Sequence, residues 1–353
     1  MASLVCTVFR KSVCRYLPVS SAARSTRHIL RRYAGAATAT GTRPLTPPLP
    51  SPNKPFCSAQ QPGEICRDHF RAFLGFPTVF AFYEKQTSTW QYLVADPITS
   101  ETVIIDPVLD YDITNMTVST STADCLLKFI VDRCLKVLRI LETHAHADHL
   151  SASQYLKEKL PGEVSLCIGK RITQIQKLFA RRYGVDPQLL EGAFDILLDD
   201  NEEFKLGHTS CKVIHLPGHT PDHVGYVLGD NVFTGDSIFL PDVGSARADF
   251  PGGNAKDLYK SMQRLLSLPQ DYKLFVGHDY PPGDRHPLCM ATVDEQRHMN
   301  KHGKTGTTEQ EFIKFRQDRD ATLGEPKLLH PSLKVNICGG KVPPPDKSGQ
   351  THV

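Results

Sequence analysis

From about residue 65 onward, apolar and polar positions fall into short regular runs. Residues 78–83, 90–95 and 101–106 read as three strands of an antiparallel meander, the third ending in Asp106-Pro107. Residues 123–135 have helical spacing, with Thr122 as the expected cap. The apolar run 137–142 is a strand that leads into a histidine-rich stretch; a helix over 151–160 and a short strand over 164–168 follow. Residues 171–182 are helical and basic. The runs 212–216, 223–228 and 231–234 are strands with tight glycine-containing turns between them. Residues 255–268 form a helix, 273–276 a strand, and 290–302 and 309–320 two further helices. Strands first and helices after, in two similar halves, indicate a layered α/β sandwich.

Composition narrows the class. Of 353 residues, 40% are hydrophobic and 22% charged, as in ordinary globular proteins. No apolar run reaches the roughly 18–20 residues of a membrane span. A net charge of +3 is too weak to make nucleic acid the main partner. Ten cysteines without one C-x-x-C pair argue against a zinc ribbon or a thioredoxin-like motif, and fit free thiols in a reducing compartment.

The charge is uneven along the chain. The first acidic residue is Glu64, and nine Lys or Arg precede it. Removing those nine from 41 leaves 32 basic against 38 acidic residues, so the remainder is net negative. A basic, Ser-rich, acid-free start reads as a mitochondrial transit peptide. Arg31-Arg32-Tyr33-Ala34 fits processing after Tyr33, and the proline-rich stretch 44–55 fits an extended linker. The expected organisation is a transit peptide and linker over 1–62, a catalytic domain with a helical C-terminal part over 63–340, and a flexible tail over 341–353. The expected location is the mitochondrial matrix.

The chemistry concentrates in His144-Ala145-His146-Ala147-Asp148-His149, directly after the apolar strand. In an extended stretch, residues two apart project to one side, so His144 and His146 can address one metal. Asp148 and His149, at the turn into the helix, can address a neighbouring position. Four metal-competent side chains in six residues are hard to reconcile with packing alone, because buried imidazoles and carboxylates need partners. Three further pieces share one plan of strand, tight glycine turn and ligand type. They are Pro217-Gly218-His219-Thr220, Thr234-Gly235-Asp236 and Val276-Gly277-His278-Asp279-Tyr280.

Together and in this order, H-x-H-x-D-H, H, D and H resemble the metallo-β-lactamase superfamily over about residues 75–285. The resemblance implies a four-layer αββα sandwich with the metal site at the sheet edge, between the two sheets. Superfamily members hydrolyse several kinds of bond and some do redox chemistry, so the fold alone does not give the reaction. The stretch Gly244-Ser245-Ala246-Arg247-Ala248-Asp249-Phe250 is similar to the persulfide dioxygenase branch, which carries an Arg-x-Asp-Phe element shortly after the metal aspartate. Leu150-Ser151-Ala152 lacks the Gly-Gly associated with glyoxalase II. This branch implies one Fe(II) per subunit, held by His144, His219 and Asp236 as the catalytic centre. His146, Asp148, His149, His278, Asp279 and Tyr280 would stand around it and orient ligands and waters. Glutathione persulfide and O2 would be the substrates, and sulfite and glutathione the products, in mitochondrial sulfide oxidation. Arg247 would receive a glutathione carboxylate, with a salt bridge to Asp249 as its other reading. No nucleic-acid or membrane partner is expected, and a homodimer is allowed. The alternative is a dinuclear hydroxyacylglutathione hydrolase of the glyoxalase II type. It would use His144, His146, His219 and Asp236 for one ion, and Asp148, His149, Asp236 and His278 for the other. Residue types permit both.

Overall fold

A computed structural model describes residues 66–70, 76–344, 349–351 and 353. The expected transit peptide, its cleavage point and the proline-rich linker lie outside the described residues.

In the first half, β1 (Cys66–Phe70), β2 (Thr78–Glu84), β3 (Thr89–Ala95) and β4 (Glu101–Ile105) form the antiparallel meander. Next come β5 (Val108–Asp112), β6 (Thr117–Ser119), α1 (Ser121–Asp132), β7 (Lys136–Leu141), β8 (Leu150–Ser151) and α2 (Ser153–Lys159). β9 (Ser165–Gly169), α3 (Ile172–Tyr183) and β10 (Ile196–Leu198) complete it. The seven-stranded sheet has the order β1-β2-β3-β4-β7-β9-β10, with parallel pairing from β4 onward. The second half has β11 (Glu203–Leu206), β12 (Thr209–His215), β13 (Val224–Leu228), β14 (Asn231–Phe233), α4 (Ala255–Leu266), β15 (Lys273–Phe275) and β16 (Met290–Thr292). These strands form a six-stranded sheet in chain order, parallel only between β14 and β15. The helices α5 (Val293–Met299), α6 (Glu309–Asp320) and α7 (Leu329–Asn336) follow.

Side-chain alternation along the strands builds the layers. In β2 and β3, Val79, Ala81, Tyr83, Trp90, Tyr92 and Val94 point inward and meet Val213, Tyr226, Phe233 and Phe275 of the other sheet. Phe80, Phe82 and Leu93 point outward and pack under Leu126 and Phe129 of α1. On the far side, Ile214, Val232 and Leu274 pack under Leu258, Met262 and Leu265 of α4 and Phe312 of α6. Both faces of each sheet are covered, which is why the strands read as nearly continuous apolar runs. The architecture is a four-layer αββα sandwich.

Several expected boundaries move. The helix expected over 290–302 begins as β16, because Ala291 pairs with Leu274; Thr292 then closes a capping box with Glu295 and starts α5. Thr122 is no cap. It lies inside α1, where its backbone and hydroxyl donate to Asp110. Of the segment 341–353, expected to be loose, Thr351 accepts a hydrogen bond from Val118 N (3.0 Å) and Val353 O one from the Tyr111 hydroxyl (3.3 Å). Among the described residues, Cys125, Cys134, Cys167, Cys211 and Cys338 are free thiols. No described helix is long and apolar enough to cross a membrane.

Candidate metal centre

The strand ends of both sheets deliver the motif residues to one place. β7 stops at Leu141, and the chain then turns on the carboxylate of Asp106, which follows β4. Asp106 accepts from Thr143 N (2.7 Å) and from the Thr143 hydroxyl (2.9 Å). That hydroxyl, having given its proton to Asp106, accepts from His144 Nδ1 at 2.9 Å. His144 is therefore held as the Nδ1–H tautomer with its Nε2 lone pair free, and Nε2 is a buried atom without a hydrogen-bond partner. His219, past β12, donates from Nδ1 to the Arg247 carbonyl at 2.8 Å, which likewise frees Nε2. Asp236 sits in a one-turn 3-10 helix after β14, with Oδ2 3.6 Å from His219 Nε2. Donor atoms of His144, His219 and Asp236 lie within 4.8 Å of one another. The glycines before Asp236 and His278 make room for this. A Cβ on Gly235 would lie 2.7 Å from His223 Nε2, and one on Gly277 2.6 Å from Asp236 Oδ1.

His146, Asp148 and His149 form an adjoining group on the same 4.8 Å scale. His146 shares its Nε2 between Asp106 (3.1 Å) and Glu142 (3.2 Å), leaving Nδ1 buried and unpaired. His278 reaches Asp148 at 3.1 Å and Asp236 at 3.4 Å, so it joins the two groups. Burial and the neighbouring imidazoles push His144 well below the ordinary histidine range, which keeps it neutral. Burial also acts to lower His146, but Asp106 and Glu142 outweigh it and hold that imidazole well above the range. His278 is raised in the same way, Asp148 and Asp236 overcoming burial. The donor set fits a divalent cation. His144 Nε2, His146 Nδ1, both nitrogens of His149 and Asp236 Oδ1 are buried polar atoms without a hydrogen-bond partner, a costly arrangement unless a cation takes one donor atom from each residue.

Four residues that the motif does not contain hold this set in place. His223, four residues after His219, is fully buried, accepts from Asp236 N at 2.9 Å and stacks on His144 at 4.7 Å. Asp222 accepts from Ala145 N at 2.9 Å, and Glu142 is clasped by the hydroxyls of Ser151 and Ser153. Asn336, at the end of α7, donates to the carbonyls of both His146 and His149 at 2.8 Å and accepts from Ser151 N. A polar residue beside the motif is a signal for the first three. Asn336 has none, because only the fold brings it near.

The remaining expected residues are also located. The Asp279 carboxylate takes two 2.8 Å hydrogen bonds from Arg285 and one from Leu288 N. The Tyr280 ring stacks on His278 with centroids 5.8 Å apart. Arg247 donates to both oxygens of Asp249 at 2.6 Å and to the Gly324 carbonyl at 2.8 Å, so its guanidinium braces its own loop. A cavity of about 520 Å³ opens over Asp148, His219 and Asp236. Phe239, Phe250 and Tyr280 give it aromatic walls, and Lys301 and Arg319 a cationic rim. Among the described residues Lys301 and Arg319 have no carboxylate partner, although Arg319 donates to the Thr322 hydroxyl at 3.2 Å.

Residues 85–278, more than half of the chain, match the model of the metallo-beta-lactamase superfamily. The chain belongs to that superfamily. Among its superfamily relatives, a "Beta-lactamase hydrolase-like protein" of Agrobacterium fabrum is 42% identical over 278 residues, which cover 78% of this chain and 64% of that one. The chain thus matches less than two thirds of that relative's length. "Glyoxylase B2" of Dictyostelium discoideum is 43% identical over 77% of this chain and 94% of its own. The mitochondrial "Persulfide dioxygenase ETHE1" of Mus musculus is 30% identical over 74% and 89%. The crystal structure of ETHE1 from Myxococcus xanthus superposes with a TM-score of 0.59 at 27% identity, covering 74% of this chain and 99% of that one. Membership in this superfamily, with its metallo-hydrolases and oxygenases, supports an enzyme with a metal cofactor.

Proposed function

We propose that the chain is an iron-dependent persulfide dioxygenase. It takes glutathione persulfide, O2 and water to glutathione and sulfite, in the mitochondrial matrix. One Fe(II) per subunit would be held by His144, His219 and Asp236. The observation that carries this reading is the pair of tautomer-fixed imidazoles, with Thr143 behind His144 and the Arg247 carbonyl behind His219, facing one carboxylate. Two histidines and a carboxylate on one face leave the other positions open. Fe(II), when bound, supplies the open positions at which O2 and a sulfur donor react side by side. The protein's part is orientation and exclusion. Thr143 and the Arg247 carbonyl keep both imidazoles aimed, His223 fixes the aspartate, and the aromatic walls keep bulk water from the sulfur. The likeness to the mouse persulfide dioxygenase supports the same reading. Arg247 is already engaged by Asp249, so Lys301 and Arg319 are the better receivers for a glutathione carboxylate.

A second reading is favoured by the complete second donor group His146, Asp148 and His149, and by the relative named Glyoxylase B2. It is a dinuclear hydrolase of hydroxyacylglutathione thioesters. Protein purified without air decides between them. One iron per chain, oxygen uptake with glutathione persulfide and sulfite release are expected. Nearly two zincs and rapid S-lactoylglutathione hydrolysis without oxygen uptake would replace the first reading by the second.

A further inference from the structure

The segment between Asp236 and α4 carries the carbonyl that orients His219, yet it belongs to no helix or strand over 245–254. Its main chain must find partners elsewhere. Beside the backbone bonds of Gly244 to Leu240 and Phe239, the partners at Gly244, Ser245 and Ala248 are side chains from one later stretch, residues 300–320. Asn300 donates to the Gly244 carbonyl at 3.1 Å, and His302 Nδ1 accepts from Ser245 N at 2.9 Å. Arg316 donates to the Ser245 carbonyl and hydroxyl, both at 3.2 Å. Asp320 accepts from Ala248 N at 2.9 Å. Arg316 and Asp320 stand one turn apart on α6 and are joined at 2.7 and 3.1 Å, with side chains only 3% and 7% exposed. They grip the loop on either side of Arg247, whose carbonyl meets His219 Nδ1 at 2.8 Å.

We propose that the Arg316–Asp320 ion pair is a positioning device for the metal ligand His219, acting through the main chain at 245–248. The reason lies in what the pair does beyond packing. A buried ion pair is weak evidence for stability, because desolvation offsets the attraction and an apolar pair of similar volume often serves as well. Arg316 places two hydrogen bonds on the loop, both at Ser245, and Asp320 one, at Ala248. Those two points bracket the carbonyl that fixes the tautomer and tilt of an imidazole ligand. Partners that orient ligand histidines typically control metal affinity by about 10- to 100-fold. The inference rests on His219 being a ligand, and it holds for iron or zinc alike.

The test uses the full chain and cobalt(II) as the probe, since its visible spectrum reports the ligand geometry. In Arg316→Met/Asp320→Leu both charges leave together, so no buried charge is stranded. The double variant is expected to melt below the parent, because Ser245 O and Ala248 N lose partners, and to bind cobalt roughly ten-fold more weakly, with a shifted visible band. Should it not fold, Asp320→Asn is titrated instead by the same criterion. Arg316→Lys keeps the pair's charge and should recover part of the affinity. Parent affinity and an unchanged cobalt spectrum, whatever the melting temperature, would overturn the proposal. His219→Ala is the control. If it binds cobalt as the parent does, the ligand assignment itself is wrong; if it loses cobalt while the double variant does not, only the role of the pair is wrong.

Discussion

Thr143→Val removes one oxygen and keeps the shape of the side chain. That hydroxyl is the middle link of the relay from His144 Nδ1 to Asp106 Oδ2, with 2.9 Å on each side. Both neighbours are buried, at 1% and 3% exposure, so water cannot replace it. Asp106 keeps Thr143 N and His146 on its other oxygen but loses a hydrogen bond to a charged group, worth about 1.5–3 kcal/mol. His144 Nδ1 keeps a proton with no acceptor, at a cost of about 1–3 kcal/mol. The two are coupled, so a combined loss of about 3 kcal/mol is the working figure. For a domain of this size that lowers the melting temperature by roughly 6–10 °C. The effect on the metal is separate. Without an acceptor behind Nδ1, the proton can move to Nε2 and block the ligand lone pair, so metal affinity should fall by about 10- to 100-fold. Thr143→Ser restores the hydroxyl and should restore both quantities. Thermal melting and chelator competition on the three proteins measure them. A Thr143→Val protein that binds metal as tightly as Thr143→Ser would refute the relay.

Three further outcomes are expected. Arg319→Ala and Lys301→Ala should raise KM for glutathione persulfide about 10-fold or more with a smaller change in kcat, because each removes a charged contact to bound substrate. Arg247→Ala should instead lower the melting temperature and leave KM nearly unchanged, and steady-state kinetics on all three variants separates the roles. His302 is held down to about 3 by burial and by Arg316 and Lys301. It is neutral in the fold but takes up a proton on unfolding below about 6.5, so its contribution is complete above that pH and is lost as pH falls toward 3. Melting curves at pH 7.5 and 5 should therefore show a larger acid loss in the parent than in His302→Gln, which cannot titrate; equal losses would exclude the effect. N-terminal sequencing of the protein from isolated mitochondria should find a start between roughly residues 34 and 60, and intact Met1 there would count against a cleaved leader.

The candidate metal donors stand out in the sequence because they are bunched. Six residues carry four of them, and each of the others follows a glycine turn at a strand end. The two-sheet architecture was legible for the related reason that both faces of each sheet are buried, which makes the strands stand out. What escaped is polar and singular. Asp106 looked like the end of one strand, Glu142 like the end of a second, and His223 like the start of a third. Each is defined by a partner that is distant in sequence or not in the motif. Asn336 lies 187 residues beyond His149. The strands of 108–119 were missed because they are short and only partly apolar, and 290–302 was misread because helical and strand patterns cannot be told apart over three residues. Arg247 was open to both readings in the sequence. The geometry of its two 2.6 Å contacts to Asp249 favours the brace.

Asn336 also sets an order of events in time. It closes two carbonyls of the His144–His149 stretch, and those carbonyls leave the ribosome long before it does. Synthesis proceeds at about 5–20 residues per second, so roughly 10–40 s separate His149 from Asn336. Over that interval the nascent chain carries its histidines without the side chain that fastens them. Faithful metal loading on this chain is therefore an event that follows synthesis of the last helix, and a nascent chain halted before residue 336 would expose a loose, unselective cluster of metal-binding groups.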